Sequence, residues 1–505
     1  KCDWSSDVCS SDLDLNYTYD PVGNITQIAD NAWQTVFNNN QTVDAVSRYT
    51  YDALYRLIEA TGREHPALSQ QMEQHGKIPE IGTVALPNLN DGQAVENYIR
   101  RYRYDKGGNL YCIAHQGKTT RNLTVSDSSN RAVDSKLLSA NPPQPTAPAR
   151  EIDQFFDANG NQTKMLGISQ VQWNYRDNIA SATIIERANG NNDAEYYVYD
   201  SSGSRVCKVK EHYDGNKEPY IEETIYLGGL EIRQTRRGQT ITKRHYSLRV
   251  MDDTTCIAVR NQWTYGTPPP GVKNPQVRYQ LDNHLGSATM EVDDRGQIIS
   301  YEEYFPYGGT SFVAGKSLTE VKLKHYRYSG KERDTSTGLY YYGARYYAPW
   351  LGRWMSCDPG GTVDGLNLYG FVGGNPVTFQ DIHGLVKQEP DQALKKNMED
   401  VFQQIRKKKI STKLASWYEF NRADKIEASI NDENKALIIN RLKELSQAQA
   451  NIPTFLKSSH SWLNDKIEST FSTGIDLKIH RGSRDVFDRG KAGHEIGRAS
   501  CRERV

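Results

Sequence analysis

The sequence predicts a mainly β protein, and three observations carry that expectation. Tyr (31 residues) and Gly (39) are abundant in a chain that is only 37% hydrophobic. Tyrosine offers a broad apolar face with a polar tip and glycine supplies positive φ for tight turns, so the pair favours many short strands over packed helices. A hairpin-like segment also recurs along the first two thirds of the chain. Finally, the texture switches to a helical period after Leu385. At 505 residues the chain has room for several domains and a large core.

The formal net charge of 0 gives no reason to expect nucleic acid or an anionic membrane as partner. No apolar run reaches the length of a transmembrane helix, and the first residues lack the apolar core of a signal peptide. Residues 1–13, KCDWSSDVCSSDL, and 495–505, EIGRASCRERV, read as in-frame translations of short-read sequencing adapters and are set aside from the fold. The natural chain is therefore expected to continue at both ends, and the missing leader carries no weight. Without the flanking Cys2, Cys9 and Cys501, the cysteines are Cys112, Cys207, Cys256 and Cys357. They are far apart and form no CxxC pair, a pattern that suggests neither a disulfide framework nor a zinc site.

Residues 14–326 are organised by repetition. YTYDPVGNITQI from Tyr17, RYTYDALYRLIEATG from Arg48, RYRYDKGGNLYCI from Arg101, QFFDANGNQTKM from Gln154 and YYVYDSSGSRVCKV from Tyr196 share one plan, and WNYRDNIASATI from Trp173 is a degenerate copy. An aromatic alternation ends in an aromatic residue and Asp, two variable residues follow, then usually Gly and a polar residue, then a second apolar alternation. Each unit is strand, turn, strand: the Asp bonds forward to the backbone and the Gly closes the hairpin. Asp52, Asp105, Asp157 and Asp200 share that turn slot, so hairpin structure is favoured over carbohydrate binding for them. Polar stretches at 64–96 and 118–150 read as insertions, and residues 277–312 continue the strands. Asp282 and His284 lie close in sequence but no nucleophile accompanies them, so they are read as structural.

These units resemble the YD (tyrosine–aspartate) repeats of Rhs proteins and of the C components of Tc toxins. The resemblance implies a cocoon-like shell of β-hairpins; the residues alone support an extended hairpin series that must stack to cover its edges. RYSGKERDTSTGLYYYGARYYAPWLGRWMSCDPGG from Arg327, completed by NLYGFVGGNPVTFQDIHGL, is similar to the Rhs repeat-associated core, which assigns 327–385 to that core.

Two acids in this stretch, Asp358 before Pro359 and Asp381 before the Gly384–Leu385 step, have the chemistry of a hydrolytic pair. Two carboxylates brought together cannot both ionise cheaply; one then deprotonates water while the protonated one polarises a carbonyl. Spacing alone leaves a turn reading ahead, since Asp-Pro-Gly and Asp-x-x-Gly both start turns. The complete signature reverses this order. The resemblance implies an intramolecular aspartyl-type protease with Asp358 and Asp381 as its acids and Arg345 in support, cutting Leu385–Val386; Arg353 is a second candidate arginine and His383 a turn residue.

Residues 386–494 form a separate, smaller α-rich or α+β domain. Leu394, Met398, Val401, Phe402 and Ile405 recur at helical spacing, with further helices expected around 435–447 and 461–471. The basic run 406–409 reads as a cationic last helical turn before a nucleic-acid contact. The strand GIDLKIHRGS resembles the start of arginine-type ADP-ribosyltransferases, which implies NAD as cofactor and Arg481 as a residue that holds it. The later Ser-Thr-Ser strand and Glu-x-Glu loop of that family are absent, so such a domain is inactive as written.

The expectation is thus an Rhs-family toxin fragment: a shell, a self-cutting core that releases the C-terminal segment as cargo, and a truncated effector, either ADP-ribosyltransferase or nuclease. Shell and core need no cofactor or metal. The resemblance further implies secretion or delivery into a target cell, a shell-closing or delivery partner and an immunity protein. The rival is a non-enzymatic cell-surface or wall-associated YD-repeat protein whose shell binds partners or carbohydrate without cleavage; the change of texture after Leu385 favours the toxin.

Overall fold

The computed structural model describes residues 13–389 apart from 39, 67, 69–94, 139–143, 189, 214–217 and 253–254. The expected C-terminal helices, Arg481 and both flanking segments (1–13 save Leu13, and 495–505) lie outside the described residues.

Two large sheets follow the chain almost strand by strand. A nine-stranded sheet begins with Leu15–Tyr19 and Ile25–Asp30 and runs to Arg121–Ser126 and Ala132–Asp134. A twelve-stranded sheet begins with Gln170–Trp173 and ends with Thr310–Gly315. The stretch 118–150 is not an insertion. It supplies Arg121–Ser126 and Ala132–Asp134, and Thr146–Ala147 pairs in parallel with the first of these, Thr146 opposite Val125. Arg121–Ser126 pairs with the strands just before and just after it, and only Thr146–Ala147 returns to it from farther along the chain.

The repeats fold by one local rule. Asp20, Asp105 and Asp157 each accept, through Oδ1, the N–H four residues on, at 2.8 Å in every case, while Oδ2 takes the side-chain amide of that same Asn. Gly108, in the third of these slots after Asp105, has φ +76°, which a Cβ would disfavour. Asn283 and Asp293, which show no Tyr-Asp signature, repeat the backbone half of the arrangement: each accepts through Oδ1 the N–H four residues on, at 3.0 Å. Three of the repeat hairpins also carry a bulge beside the turn: Thr18 pairs with Gln27 but Tyr19 with Ile25, Thr50 with Glu59 but Tyr51 with Leu57, and Arg103 with Cys112 but Tyr104 with Leu110. One extra residue per repeat raises the local twist and re-aims the aromatic side chain.

Those aromatics pack on the core segment. A four-stranded antiparallel sheet, Glu332–Arg333, Tyr340–Tyr341, Tyr346–Ala348 and Arg353–Trp354, is embedded in the same cluster as Ile25, Leu57, Tyr98 and Tyr102 of the first sheet. Tyr347 stacks on Phe371 with centroids 4.0 Å apart, and Trp354 meets Phe371 edge-on at 5.3 Å. The phenol tips still find partners: Tyr347 donates to Tyr307 O at 3.0 Å, Tyr340 to Gly308 O at 3.2 Å and Tyr328 to Pro306 O at 3.0 Å. Buried tyrosine thus fills space and satisfies the turn backbone at once.

A buried ionic network ties the twelve-stranded sheet to this core. Arg205 pairs with Asp334 at 2.8 Å and Glu332 at 2.5 Å; Lys208 reaches the same two acids, each at 2.8 Å; Arg233 adds a contact to Glu332 at 3.2 Å. Asp282 and His284 do not meet as a pair. Asp282 accepts from Gln280 at 2.8 Å, and His284 Nε2 lies 2.7 Å from Val377 O.

Candidate functional site

The hairpin formed by Tyr340–Tyr341 and Tyr346–Ala348 turns at Gly343, and Arg345 sits just past that turn. Its backbone is pinned by the Tyr342 N–H, which donates to Arg345 O at 3.1 Å. The side chain is 2% exposed, and its guanidinium carbon lies 4.2 Å from the Trp354 ring centroid. A flat cation against an indole face fixes the direction in which its N–H groups point.

Those groups divide among three acceptors. Nε donates to Gly384 O at 2.6 Å and Nη2 lies 3.4 Å from Asp381 Oδ2, while Nη1 stands 2.9 Å from Asp358 Oδ2 as an ion pair without hydrogen-bond alignment. The structure therefore brings Arg345, Asp358 and Asp381 together, although 36 residues separate the first from the last. Arg345 lies between the two acids.

Asp358 follows the strand Arg353–Trp354 and opens the Asp-Pro-Gly turn. Its Oδ1 accepts the Gly360 N–H at 2.8 Å, which leaves Oδ2 to Arg345. Asp358 thus serves the turn through one oxygen and faces Arg345 with the other.

Asp381 is positioned by a small ladder, Gln380–Asp381 against Lys387–Gln388, with Asp381 opposite Lys387. Residues 382–386 are the loop of that hairpin, and the expected scissile bond lies in it. The loop wraps around the acid: Asp381 Oδ1 accepts the N–H groups of His383 at 3.1 Å, Gly384 at 2.7 Å and Leu385 at 3.1 Å. Gly384 takes φ +72°, and a Cβ there would come within 3.1 Å of Arg345 N. His383 serves through its backbone, whose O accepts the Ala344 N–H at 3.0 Å. Leu385 and Val386 are 40% and 45% exposed.

Burial pushes the Asp381 carboxyl above its ordinary value, against the opposing pull of Arg345 and of the three loop N–H groups. Burial lowers Arg345, opposed by Asp358, Asp381 and then Asp364. Nearby Lys331 is pushed down to about 8 by burial and by Arg249, while the charge of Asp381 works the other way. A cavity of about 240 Å³ adjoins the loop, walled by Lys331, Tyr342, Gly343, Ile382 and His383 among others, with ample room for water. A buried acid, a second acid and a cation between them, next to an exposed peptide, are side-chain types that a hydrolytic centre can use.

Arg353 takes no part in this cluster. It donates to Asn130 O and lies over Tyr369 at 5.0 Å, and burial lowers it to about 10. Sequence reasoning passed over Trp354, the wall behind Arg345, and Asp364, whose Oδ2 accepts the Lys387 N–H at 2.7 Å. Asp364 precedes a glycine and looks like another turn residue, so no local signal distinguished it.

Residues 118–168 match the family model described as "Tripartite Tc toxins repeat". Toxin subunit YenC1 of Yersinia entomophaga is 41% identical over 377 residues, 74% of this chain and 37% of that protein. The probable deoxyribonuclease RhsA of Dickeya dadantii is 26% identical over 67% of this chain and 24% of its own length. Among solved structures, the TcdB2-TccC3-Cdc42 crystal structure matches with a TM-score of 0.66 and 43% identity, over 74% of this chain and 17% of that one. The chain spans little more than a third of the length of the toxin subunits it matches. Hairpin grammar, core signature and these likenesses agree: the chain carries an Rhs/YD-repeat core of the Tc-toxin C-component kind.

Proposed function

We propose that this core cuts its own chain between Leu385 and Val386, and that the released segment is cargo held by the YD-repeat shell. One observation carries the reading: the acid expected to act, Asp381, is gripped through Oδ1 by the loop expected to be cut, while Arg345 ties its other oxygen to Asp358. Asp358 takes a proton from a water as the water oxygen attacks the Leu385 carbonyl carbon. Asp381, raised by burial and with Oδ2 outside the loop's grip, supplies the proton that stabilises the developing oxyanion. As the tetrahedral intermediate collapses and the C–N bond breaks, Asp358 gives the proton it took from water to the Val386 nitrogen, and a gem-diol hydroxyl returns a proton to Asp381. The products are a Leu385 carboxylate and a Val386 amine. Arg345 keeps both acids and the Gly384 carbonyl in one frame throughout.

The names of the relatives support the wider setting. YenC1 is a toxin subunit, and the TccC3 structures contain TcdB2, which favours delivery into a target cell with a shell-closing partner. For the effector, the name of RhsA, a probable deoxyribonuclease, favours a nuclease beside the NAD-using transferase to which Arg481 would belong. An immunity protein completes this setting.

The test is to express the full chain and map its termini by mass spectrometry. A new N-terminus at Val386 is expected, absent from Asp358→Asn and Asp381→Asn. An uncut wild-type chain with its fold intact refutes the reading and leaves a non-enzymatic binding shell. Undiminished cutting in both Asn variants refutes the assigned acids.

A further inference from the structure

The expected scissile peptide joins Leu385 to Val386, and the structure holds the chain on both sides of it. On the N-terminal side, the Leu385 N–H donates to Asp381 Oδ1 at 3.1 Å. On the C-terminal side, the Lys387 N–H donates to Asp364 Oδ2 at 2.7 Å. Asp364 comes from a different segment, the turn in which the Gly365 N–H donates to Thr362 O at 3.1 Å. Its neighbours Val363 and Leu366 are 67% and 83% exposed, whereas Asp364 itself is half-buried and turned toward the loop. Nothing in a turn requires the carboxylate to reach 23 residues along the chain to a backbone N–H.

We propose that Asp364 is a substrate-positioning residue for the self-cleavage, a second clamp that fixes the peptide just beyond the scissile bond. Two carboxylates from separate segments pin the N–H groups of Leu385 and Lys387, so the peptide between them has little freedom to rotate. A fixed peptide plane presents one face of the Leu385 carbonyl to the attacking water, and it holds the Val386 nitrogen where it must be protonated. A substrate held at one side only, in an exposed loop, samples many orientations. The clamp also sets which bond is cut, because it registers the chain against Asp381. This inference rests on the self-cleavage proposed above.

Cleavage is followed in the full chain by pulse-labelled cell-free synthesis, with the new N-terminus mapped by mass spectrometry and folding checked by melting temperature. Asp364→Ala is expected to slow cleavage about tenfold, the usual worth of a hydrogen bond to a charged group, and to add product termini other than Val386. Asp364→Asn keeps an acceptor oxygen and is expected to restore most of the rate and the single terminus, with melting temperature unchanged in both. Cleavage of Asp364→Ala at the wild-type rate and at Val386 alone overturns the inference. Equal slowing in both variants together with a common loss of melting temperature overturns it too, since that marks a structural residue. If the wild-type chain itself stays whole, the self-cleavage reading falls first and this inference with it; if it is cut while the Asp364 variants are unaffected, only this inference falls.

Discussion

Replacing Gly384 by Ala tests how closely cleavage depends on the loop's grip on Asp381. Gly384 has φ +72°, and the left-handed conformation costs an L-residue about 1–2 kcal/mol. The added Cβ would lie 3.1 Å from Arg345 N and 3.2 Å from Tyr342 Cβ. Neither neighbour is the far end of a flexible side chain: the Tyr342 N–H donates to Arg345 O, and Tyr342 is buried against Trp354 at 5.1 Å. The exposed loop must therefore give way. As it moves it lengthens both the 2.7 Å bond from Gly384 N to Asp381 and the 2.6 Å bond from Arg345 Nε to Gly384 O. Displacement of a reacting group by a few tenths of an ångström to 1 Å costs about 10- to 100-fold in rate. The stability loss should be no more than about 1–2 kcal/mol, because the loop is already partly exposed. Gly286→Ala is the control: its φ is +69° and its Cβ would meet nothing within 4 Å, so it carries the backbone strain without displacing the loop. Pulse-labelled synthesis gives the cleavage rates and thermal denaturation gives the stabilities. If Gly384→Ala cuts as fast as Gly286→Ala, the contacts of Gly384 with Asp381 and Arg345 do not limit the reaction, and the proposed geometry is wrong.

The cleavage rate should fall as pH rises through the raised pKa of Asp381, where its proton is lost; Arg345→Gln removes a cation that opposes that rise, so this limb should move to higher pH even as the rate drops, and pH–rate profiles decide both points. Burial pushes Asp282 from 3.8 to about 7, with Lys324 and Arg249 opposing and Glu291 adding to the shift. A buried acid with a raised pKa is neutral below its ordinary value and penalises the fold progressively as pH rises to 7, by up to about 4 kcal/mol; Asp282→Asn should thus match wild type near pH 4 and melt higher above pH 7, and parallel melting curves at all pH values would contradict this. Glu332→Gln leaves Arg205, Lys208 and Arg233 short of a shared buried anion and should cost about 3–5 kcal/mol by chemical denaturation; no change in midpoint would mean that the network relaxes freely. Tyr102→Ala opens a cavity in the shared core, with an expected cost of about 3–5 kcal/mol, and cleavage should weaken along with folding when the two are followed across a urea series.

What could be read from the sequence was what is local. The aromatic–Asp–x–x–Gly plan places turns because Asp20, Asp105 and Asp157 make their bonds within four residues, and such bonds need no tertiary context. The same physics operates at Asn283 and Asp293, where the aromatic marker is missing and the turns went unrecognised. The stretch 118–150 was misread because its strands are short and polar and one pairs in parallel, a contact set by topology and not by pattern. At the site, Asp358 and Asp381 stood out through the family signature, since each also satisfies an ordinary turn. Arg345 over Arg353 could not be chosen from spacing: both are buried arginines in aromatic strands, and only the fold turns one toward the acids and the other toward Asn130. Asp364 contributes across a gap of 23 residues through a backbone N–H, a partner that has no sequence identity to detect.

The position of the site within the core bears on when it can act. Arg345 is aimed by Trp354, which packs on Tyr342 and Phe371, and Phe371 stacks on Tyr347. That cluster is continuous with Tyr98 and Tyr102, more than two hundred residues earlier in the chain, and Tyr102 lies 5.2 Å from Tyr307, whose carbonyl holds the Tyr347 hydroxyl. The cation that joins the two acids is therefore set in place by hairpins that must first have folded and stacked. Isolated hairpins are marginal in water and gain stability only by sharing a packed face. Under the proposed self-cleavage, a cut made during synthesis would free the segment after Leu385 before the hairpins had folded. For the self-cleavage proposed above, an arginine set on a ring wall built from residues far apart in the chain makes the competent geometry a product of the folded hairpins, so folding before cutting is the expected order.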